Sequence, residues 1–252
     1  MKISIVTPSF NSESTIRSTI ESILSQSYQN WEHLIIDGGS KDKTMEIVQE
    51  YVSQYGNRLK CISEKDKGIY DAMNKGIMMA TGDLIGILNS DDFFTSNAIL
   101  SVIANEIDEF EALFADVHYV NPDNLTQCVR YYSSRSFHPS KMKMGLMPAH
   151  PSFYCRKAIY DEVGLFDIDF KVAADFDWML RALYIRGLKT KYLPIDFVTM
   201  RTGGASTSGF QSYKKIVMEH LKAYRKNGVK TNIFLDLLRY PFKLSEFFFT
   251  NP

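Results

Sequence analysis

An α/β fold with a mainly parallel central sheet and a helical C-terminal tail is what the sequence predicts, on three observations. Short β-branched runs alternate with amphipathic stretches through residues 1–92, the pattern of consecutive β-α units. Each of the first four runs leads into a polar or glycine-bearing cluster. From Gln211 onward the alternation gives way to a basic, aromatic segment with helical spacing.

Residues 3–8 read as a buried first strand. Ser12 is placed to cap the helix that follows, in which Ile16, Ile20, Ile23 and Leu24 share a face. Residues 33–36 form the second strand, and Met45, Ile47, Val48, Tyr51 and Val52 mark the second helix. Residues 59–63 are a third strand, Ile69, Met73 and Ile77 a third helix, and residues 84–88 a fourth strand. Beyond Asp92 the pattern loosens. It predicts a helix over 97–107, strands over 112–119 and 126–132, and a Ser/Pro/Lys-rich loop over 133–148. A strand at 150–155, a helix at 174–186 and a last strand at 191–200 follow. Gly203, Gly204, Ser206, Ser208 and Gly209 mark a flexible loop, and the tail reads as helical with a break near Pro241. The organisation expected is one domain over 1–210 and a basic, aromatic helical extension over 211–252.

Composition narrows the function classes. At 252 residues, 45% hydrophobic and 23% charged, the chain can bury a core without staples, which excludes a disordered body. Net charge is zero, yet residues 211–252 carry eight basic side chains against three acidic ones. That basic surface is too confined for nucleic-acid binding. Cys61, Cys128 and Cys155 are odd in number and widely spaced, so reduced thiols are expected. With no signal-peptide pattern and no apolar run long enough to span a bilayer, a cytoplasmic body is expected.

In an open parallel sheet, ligands bind outside the carboxyl ends of the strands. The clusters fall there: Thr7-Pro8-Ser9-Phe10-Asn11, Asp37-Gly38-Gly39-Ser40, Glu64-Lys65-Asp66-Lys67-Gly68 and Asn89-Ser90-Asp91-Asp92. Asp-Gly-Gly-Ser by itself is a common turn, and Asn-Ser-Asp-Asp would cap a helix. Four such ends facing one crevice favour a ligand site. Asp91 and Asp92 follow an apolar strand directly, and their hard oxygens suit Mg²⁺ or Mn²⁺ shared with phosphate. No Gly-x-Gly-x-x-Gly follows the first strand, and Gly39-Ser40-Lys41 lacks the P-loop ending.

These segments, in this order, resemble the inverting glycosyltransferases of family 2, with the GT-A (Rossmann-like, nucleotide-diphospho-sugar transferase) fold. The resemblance covers roughly the first 200 residues. It rests on Ser4-Ile5-Val6-Thr7-Pro8-Ser9-Phe10-Asn11, Ile36-Asp37-Gly38-Gly39-Ser40-Lys41-Asp42 and the Asp66-to-Gly76 segment. Gly82-Asp83, Leu88-Asn89-Ser90-Asp91-Asp92, Gly164-Leu165-Phe166-Asp167 and Ala173-Ala174-Asp175-Phe176-Asp177 complete it. The likeness is strongest to the bacterial polysaccharide-assembly branch, including colanic-acid-type enzymes.

The resemblance implies roles. Thr7 and Pro8 line the nucleotide pocket, Asp37 bonds the base, and Asp66 and Lys67 border base and ribose. Asn89, Ser90 and Asp91 meet the nucleotide. Asp91, with Asp92, holds a divalent Mn²⁺ or Mg²⁺, although Asn89 stands where the family commonly has Asp. Asn74 and Lys75 help shape the donor pocket. Asp175 matches the catalytic base. His150, Asp177, Trp178 and Arg201 are candidate acceptor or diphosphate contacts; for Trp178 the plainer reading is a core aromatic, and for His150 a structural one. The implied partners are a nucleotide diphosphate-sugar donor, by family habit a UDP-sugar, and a saccharide or lipid-linked acceptor. The tail, with Phe234, Leu237, Leu238 and Phe247–Phe249 among lysines and arginines, suits packing on the body, a homodimer contact, or the inner face of a membrane.

Two rivals remain at this point. A nucleotidyltransferase would need a Gly-rich, Arg-bearing first loop, which residues 7–11 lack. A catalytically inactive nucleotide-sugar-binding or assembly scaffold is supported by Asn89 and opposed by Asp91, Asp92 and Asp175.

Overall fold

The structure, a computed structural model, describes residues 1–203 and 209–240. The chain begins with three β-α units: β1 (Ile3–Ser9), α1 (Ile16–Leu24), β2 (Trp31–Asp37), α2 (Thr44–Tyr55), β3 (Leu59–Ser63) and α3 (Ile69–Met79). β4 (Leu84–Ile87), β5 (Phe93–Phe94) and α4 (Ile99–Glu106) follow, then the long hairpin of β6 (Ala112–Asn121) and β7 (Asn124–Tyr132). The remainder holds β8 (Tyr154–Arg156), α5 (Lys157–Val163), α6 (Ala174–Met179), β9 (Thr190–Arg201), α7 (Gly209–Lys226) and α8 (Ile233–Leu237).

The described strands form one nine-stranded sheet ordered β3-β2-β1-β4-β8-β6-β9-β5, with β7 paired to β6. β3, β2, β1 and β4 run parallel. β8 runs antiparallel between β4 and β6, and β6 lies parallel to β9. The chain winds outward from β1 to β3 and then returns to the other side of β1 as β4. That reversal opens a crevice at the carboxyl ends of β1 and β4.

Alternation along the strands feeds two cores, one on each face. Ile3, Ile5, Trp31, Ile35, Leu84 and Leu88 pack against α1, α2 and α4. Val6, Leu34, Ile36, Ile85 and Ile87 pack against α3, α5 and α6. Each fully buried aliphatic side chain contributes about 1.5–3 kcal/mol, so a one-residue slip of any central strand is costly.

Several elements differ from the expectations. Residues 150–152 form a 3₁₀ turn rather than a strand, because Pro151 has no N–H to give a ladder. Only Tyr154–Arg156 extends as β8. Asn89–Asp92 leads into the short β5, not directly into a helix. The helix α5 was not expected. The loop at 133–148 contains a 3₁₀ helix, Pro139–Met144. The helix expected over 174–186 is α-helical to Met179 and then π-helical from Leu180 to Arg186. The tail also has a break that was not expected, between α7 and α8, where Gly228 adopts φ +67°. The expected Gly/Ser loop falls mostly on 204–208 and the break at Pro241 on 241–252, both outside the described residues.

Candidate active site

A cleft of about 1570 Å³ lies along these strand ends. From the first half of the chain it is lined by Pro8, Phe10, Gly38, Asp66 and the whole turn Asn89–Asp92. From the second half it is lined by His150, Asp175 and Arg201, and by Val217, Ile233 and Tyr240 of the tail.

The β2 turn is built on Asp37, which is fully buried. Its carboxylate accepts from the Gly39 and Ser40 N–H groups at 3.1 and 2.9 Å, and from the hydroxyls of Ser9, Ser40 and Ser63. Burial would raise its pKa, but the hydrogen bonds from Ser40, Ser63 and Ser9 outweigh it and lower it. Gly39 has φ +81°, which favours glycine, and a Cβ at Gly38 would stand 2.7 Å from Asp66 Oδ2, so that carboxylate would have to shift. Asn11 at φ 49° ties the β1 end to this turn, its side-chain oxygen accepting from Lys41 N–H at 2.9 Å. Thr7 is also buried. Its hydroxyl donates to the Leu88 carbonyl and accepts from His33 Nε2.

At the β4 end, Asn89 Nδ2 donates to Asp92 Oδ2 at 2.9 Å. The Asp92 carbonyl accepts from Thr19 at 2.7 Å, and Ser90 shares a hydrogen bond with Ser12 at 2.8 Å. Arg201 donates to the Asp91 carbonyl and to Ser18 Oγ, and its guanidinium lies 5.0 Å from the Phe93 ring centroid. Burial raises the pKa of both carboxyls, with Asp91 adding to the rise at Asp92 and Arg201 opposing it. Burial likewise lowers the pKa of Arg201.

This turn fits a divalent cation. Asn89 Oδ1 is buried and has no hydrogen-bond partner, and the two raised carboxyls beside it would be relieved by a positive charge. All three are hard oxygens suited to Mg²⁺ or Mn²⁺. Among the described residues no group of three or more His, Cys, Asp or Glu side chains is placed to hold a metal, so ligand oxygens would have to complete the shell.

Across the cleft, Asp175 stands in the first turn of α6. Its Oδ1 accepts from the Tyr70 hydroxyl at 3.1 Å and from Phe176 N–H at 2.9 Å. Three N–H groups leading into α6, from Lys171, Val172 and Ala173, donate to Glu219 of α7 at 2.9–3.0 Å. The next α7 residue, His220, stacks on Phe176 with centroids 3.7 Å apart. His150 lies close enough for Asp175 to act on it: burial lowers the imidazole pKa and the carboxylate partly opposes this.

The structure thus brings Pro8, Asp66, Asn89, Ser90, Asp91, Asp92, His150, Asp175 and Arg201 to one cleft. It places Thr7, Asp37, Lys67, Asp177 and Trp178 off the described lining. Lys67 is exposed. Asp177 is fully buried, paired with Arg181 at 3.0 Å and bonded by Asn227 at 2.8 Å. Trp178 stacks on Tyr160 at 4.5 Å and donates to the Gly164 carbonyl, a core aromatic. Asn74 exchanges two hydrogen bonds with the Phe166 backbone, and Lys75 pairs with Glu64 at 2.7 Å. Tyr70 and Glu219 were not anticipated. Tyr70 carried one signal, its place one turn into the Asp66–Gly76 segment; Glu219 carried none.

A profile of the family described as Glycosyl transferase family 2 matches residues 4–163. The chain belongs to that family. A PGL/p-HBAD biosynthesis glycosyltransferase of Mycobacterium bovis is 27% identical over 192 residues, 76% of this chain and 73% of that protein. The putative glycosyltransferase EpsE of Bacillus subtilis is 40% identical over 92 residues, 36% of this chain and 33% of its own. Among solved structures, Staphylococcus aureus TarS 1–349 with UDP-GlcNAc superimposes with a TM-score of 0.68 at 21% identity. The match covers 87% of this glycosyltransferase and 66% of the TarS chain. A Pyrobaculum calidifontis mannosyltransferase with GDP-Man and Mn²⁺ gives 0.65 at 16% identity, over 91% of this chain and 65% of that one. These likenesses confirm the GT-A α/β fold expected from the sequence.

Proposed function

We propose that this glycosyltransferase transfers a sugar, with inversion, from a nucleotide diphosphate-sugar to a hydroxyl of a saccharide or lipid-linked saccharide during surface polysaccharide assembly. The donor nucleotide expected is UDP, the one bound in the TarS structure. The observation that carries the reading is the opposition, across one cleft, of the Asn89–Asp92 turn and a carboxylate held by Tyr70.

Asp175 takes the proton from the attacking hydroxyl, its free Oδ2 edge serving as the base while Tyr70 and Phe176 N–H hold Oδ1. Pro8, Asp66, Asn89 and Ser90 bind the nucleotide, with Asp37 and Thr7 acting from behind as the scaffold of that wall. Lys67 borders the ribose from the rim. Asp91, with Asp92 and Asn89 Oδ1, would hold a divalent Mg²⁺ or Mn²⁺. When bound, that ion neutralises charge on the departing diphosphate. Arg201 adds positive charge on the same side. The donor is already activated, so the reaction needs no enzyme nucleophile, and positioning supplies much of the acceleration.

Among the described residues no helix is long and apolar enough to cross a membrane. The exposed Phe234 (79%), Ile233 and Leu238 on and beside α8 support a peripheral contact with the cytoplasmic membrane face; a homodimer contact is the alternative use of that patch. The test of the transferase reading is calorimetric titration of UDP, GDP and dTDP, with and without Mn²⁺, on the wild type and Asp91→Ala. Metal-dependent binding of one nucleotide, weakened in the variant, supports it. If folded protein binds none of them, the donor site is wrong and the scaffold reading leads.

A further inference from the structure

α8 packs against α7, and together they present an apolar and basic surface that neither the donor turn nor the base uses. Along α7, Lys214, Lys215, Lys222 and Arg225 recur around Met218 at spacings of three and four, and all five are exposed. Val217, His220, Ala223 and Tyr224 of the same helix are buried against the body. α8 is inverted by comparison. Its one acid, Asp236, is fully buried, whereas Ile233, Phe234, Leu235, Leu237 and the following Leu238 are exposed. Among the described residues from Lys214 to Tyr240 no acidic side chain is exposed. Glu219 is engaged by the segment before α6, and Asp236 is inside.

Buried polar groups fix this orientation. Asn232 caps α8, its side-chain oxygen accepting from Leu235 N–H at 3.0 Å. Asp236 Oδ1 lies 2.8 Å from His220 Nδ1 of α7, and the buried Arg239 lies 3.6 Å from the other carboxylate oxygen. α8 therefore cannot roll its apolar side chains inward without parting a buried ion pair. The surface also meets the cleft. Lys214 and Met218 of α7 and Ile233 and Leu237 of α8 line the same cleft as Asp175. Being exposed as well, they form its mouth on the side of the tail.

A basic face alone would be an ordinary solvated face. The apolar α8 beside it calls for a cover, and the charge selects among covers. A second copy meeting it across a two-fold axis would set lysine against lysine. Nucleic acid would pair the cations and leave the leucines without apolar partners. An anionic bilayer takes both: its head groups pair the cations, and its acyl boundary takes Phe234, Leu237 and Leu238. We infer that the basic face of α7 and the outward face of α8 dock on an anionic lipid bilayer, with the mouth of the cleft on that side turned to the lipid. The use of the cleft rests on the transferase reading above. To the membrane contact named there, the inference adds the charge of the lipid, the residues that meet it and the orientation of the site.

The test uses the full chain with vesicles of phosphatidylcholine alone and of phosphatidylcholine mixed with phosphatidylglycerol. Co-sedimentation should show binding to the anionic vesicles at least about tenfold tighter than to the neutral ones, and weakening as salt is raised. Phe234→Ser should weaken it about tenfold, and Lys215→Gln and Arg225→Gln about fivefold each. Insertion is read with Phe234→Trp, whose emission should be quenched by brominated acyl chains. Val52→Trp, on α2 over the opposite core, should not be quenched, and the native Trp31 and Trp178 are buried. Absent binding, equal binding to both vesicles, binding unchanged in Phe234→Ser and Lys215→Gln, or equal quenching at the two introduced tryptophans would overturn the proposal. A concentration-dependent dimer lost in Phe234→Ser, without vesicle binding, would assign the patch to a second copy instead. UDP and GDP are titrated into the same samples. Vesicle binding without nucleotide binding would count against the transferase reading, whereas nucleotide binding without vesicle binding would count against the docking surface alone.

Discussion

Asn89→Asp restores the carboxylate that the family commonly carries at this position, and the structure sets what that change costs. The amide now donates to Asp92 Oδ2 at 2.9 Å. An aspartate there loses a hydrogen bond to a charged group, worth about 1.5–3 kcal/mol. It also places a third carboxylate against two whose pKa is already raised by burial. Two charges about 4 Å apart repel by about 4 kcal/mol at an effective dielectric of 20. Proton uptake caps the penalty, since an aspartate of ordinary pKa near 3.9 can be neutralised at pH 7 for about 1.36 kcal/mol per unit. The metal-free variant should therefore be about 2–4 kcal/mol less stable than wild type at pH 7. A bound dication reverses the sign, because the added charge then faces a cation. Mn²⁺ affinity should rise about tenfold or more. Chemical denaturation without metal and calorimetric Mn²⁺ titration together measure both effects. Unchanged stability with unchanged Mn²⁺ affinity would refute the placement of Asn89 at a cation site.

Tyr70→Phe deletes the hydroxyl that holds Asp175 at 3.1 Å; kcat should fall about tenfold, at about 1.5 kcal/mol for a charge-assisted bond, while nucleotide affinity stays put. A matching loss of nucleotide affinity would mean Tyr70 acts on the donor instead. Asp177→Ala leaves Arg181 without its buried partner, so urea denaturation should show a loss of about 3–5 kcal/mol; lost activity at wild-type stability would instead make Asp177 a functional acid. Asp91 and Asp92 have raised pKa values, so their protonated forms favour the fold below the unfolded value near 3.9. That contribution disappears as pH rises through the raised values. Mn²⁺ binding, which needs the carboxylates, should weaken as pH falls through the same raised values; an affinity that stays flat as pH is lowered toward the unfolded value near 3.9 would contradict it. Glu32 works the other way. Burial would raise its pKa, but hydrogen bonds from Lys2, Ser4, Thr81 and Lys60 bring it down to about 2, so its stabilisation holds above its unfolded value and is lost as pH falls toward 2.

Period and turn chemistry made the first four strands and three helices legible, because each is long enough to show its repeat and each ends in residues with one conformational use. Asp37 illustrates the limit of that reading. Its sequence context suits both a turn and a ligand contact, and only the five groups converging on it show how fully the turn occupies its oxygens. β5, at two residues, and α5, at seven, are too short for a period to register. The companions of Asp175 were hard to read for a different reason. Tyr70 lies 105 residues away in sequence, and Glu219 reaches the segment before Asp175 only once α7 has docked. Composition likewise sets residues 211–252 apart, yet it carries no trace of where α7 docks.

That docking ties the extension to the chemistry. Asp175 stands in the first turn of a helix only six residues long before it turns π-helical, which is too short to hold its own first turn rigidly. The residue at its N-cap position, Ala173, has no polar side chain to cap it. Glu219 fastens the segment that enters the helix, gathering the N–H groups of Lys171, Val172 and Ala173 on one carboxylate. His220 presses on Phe176, the residue whose N–H bonds Asp175. Behind His220 stand the buried Asp236, at 2.8 Å, and Arg239, which tie it to α8 and the segment after it. A general base must sit within a fraction of an ångström of its proton to work well. For the base proposed here, Asp175, that precision would come from outside the strand ends, from the helix that composition sets apart as an extension.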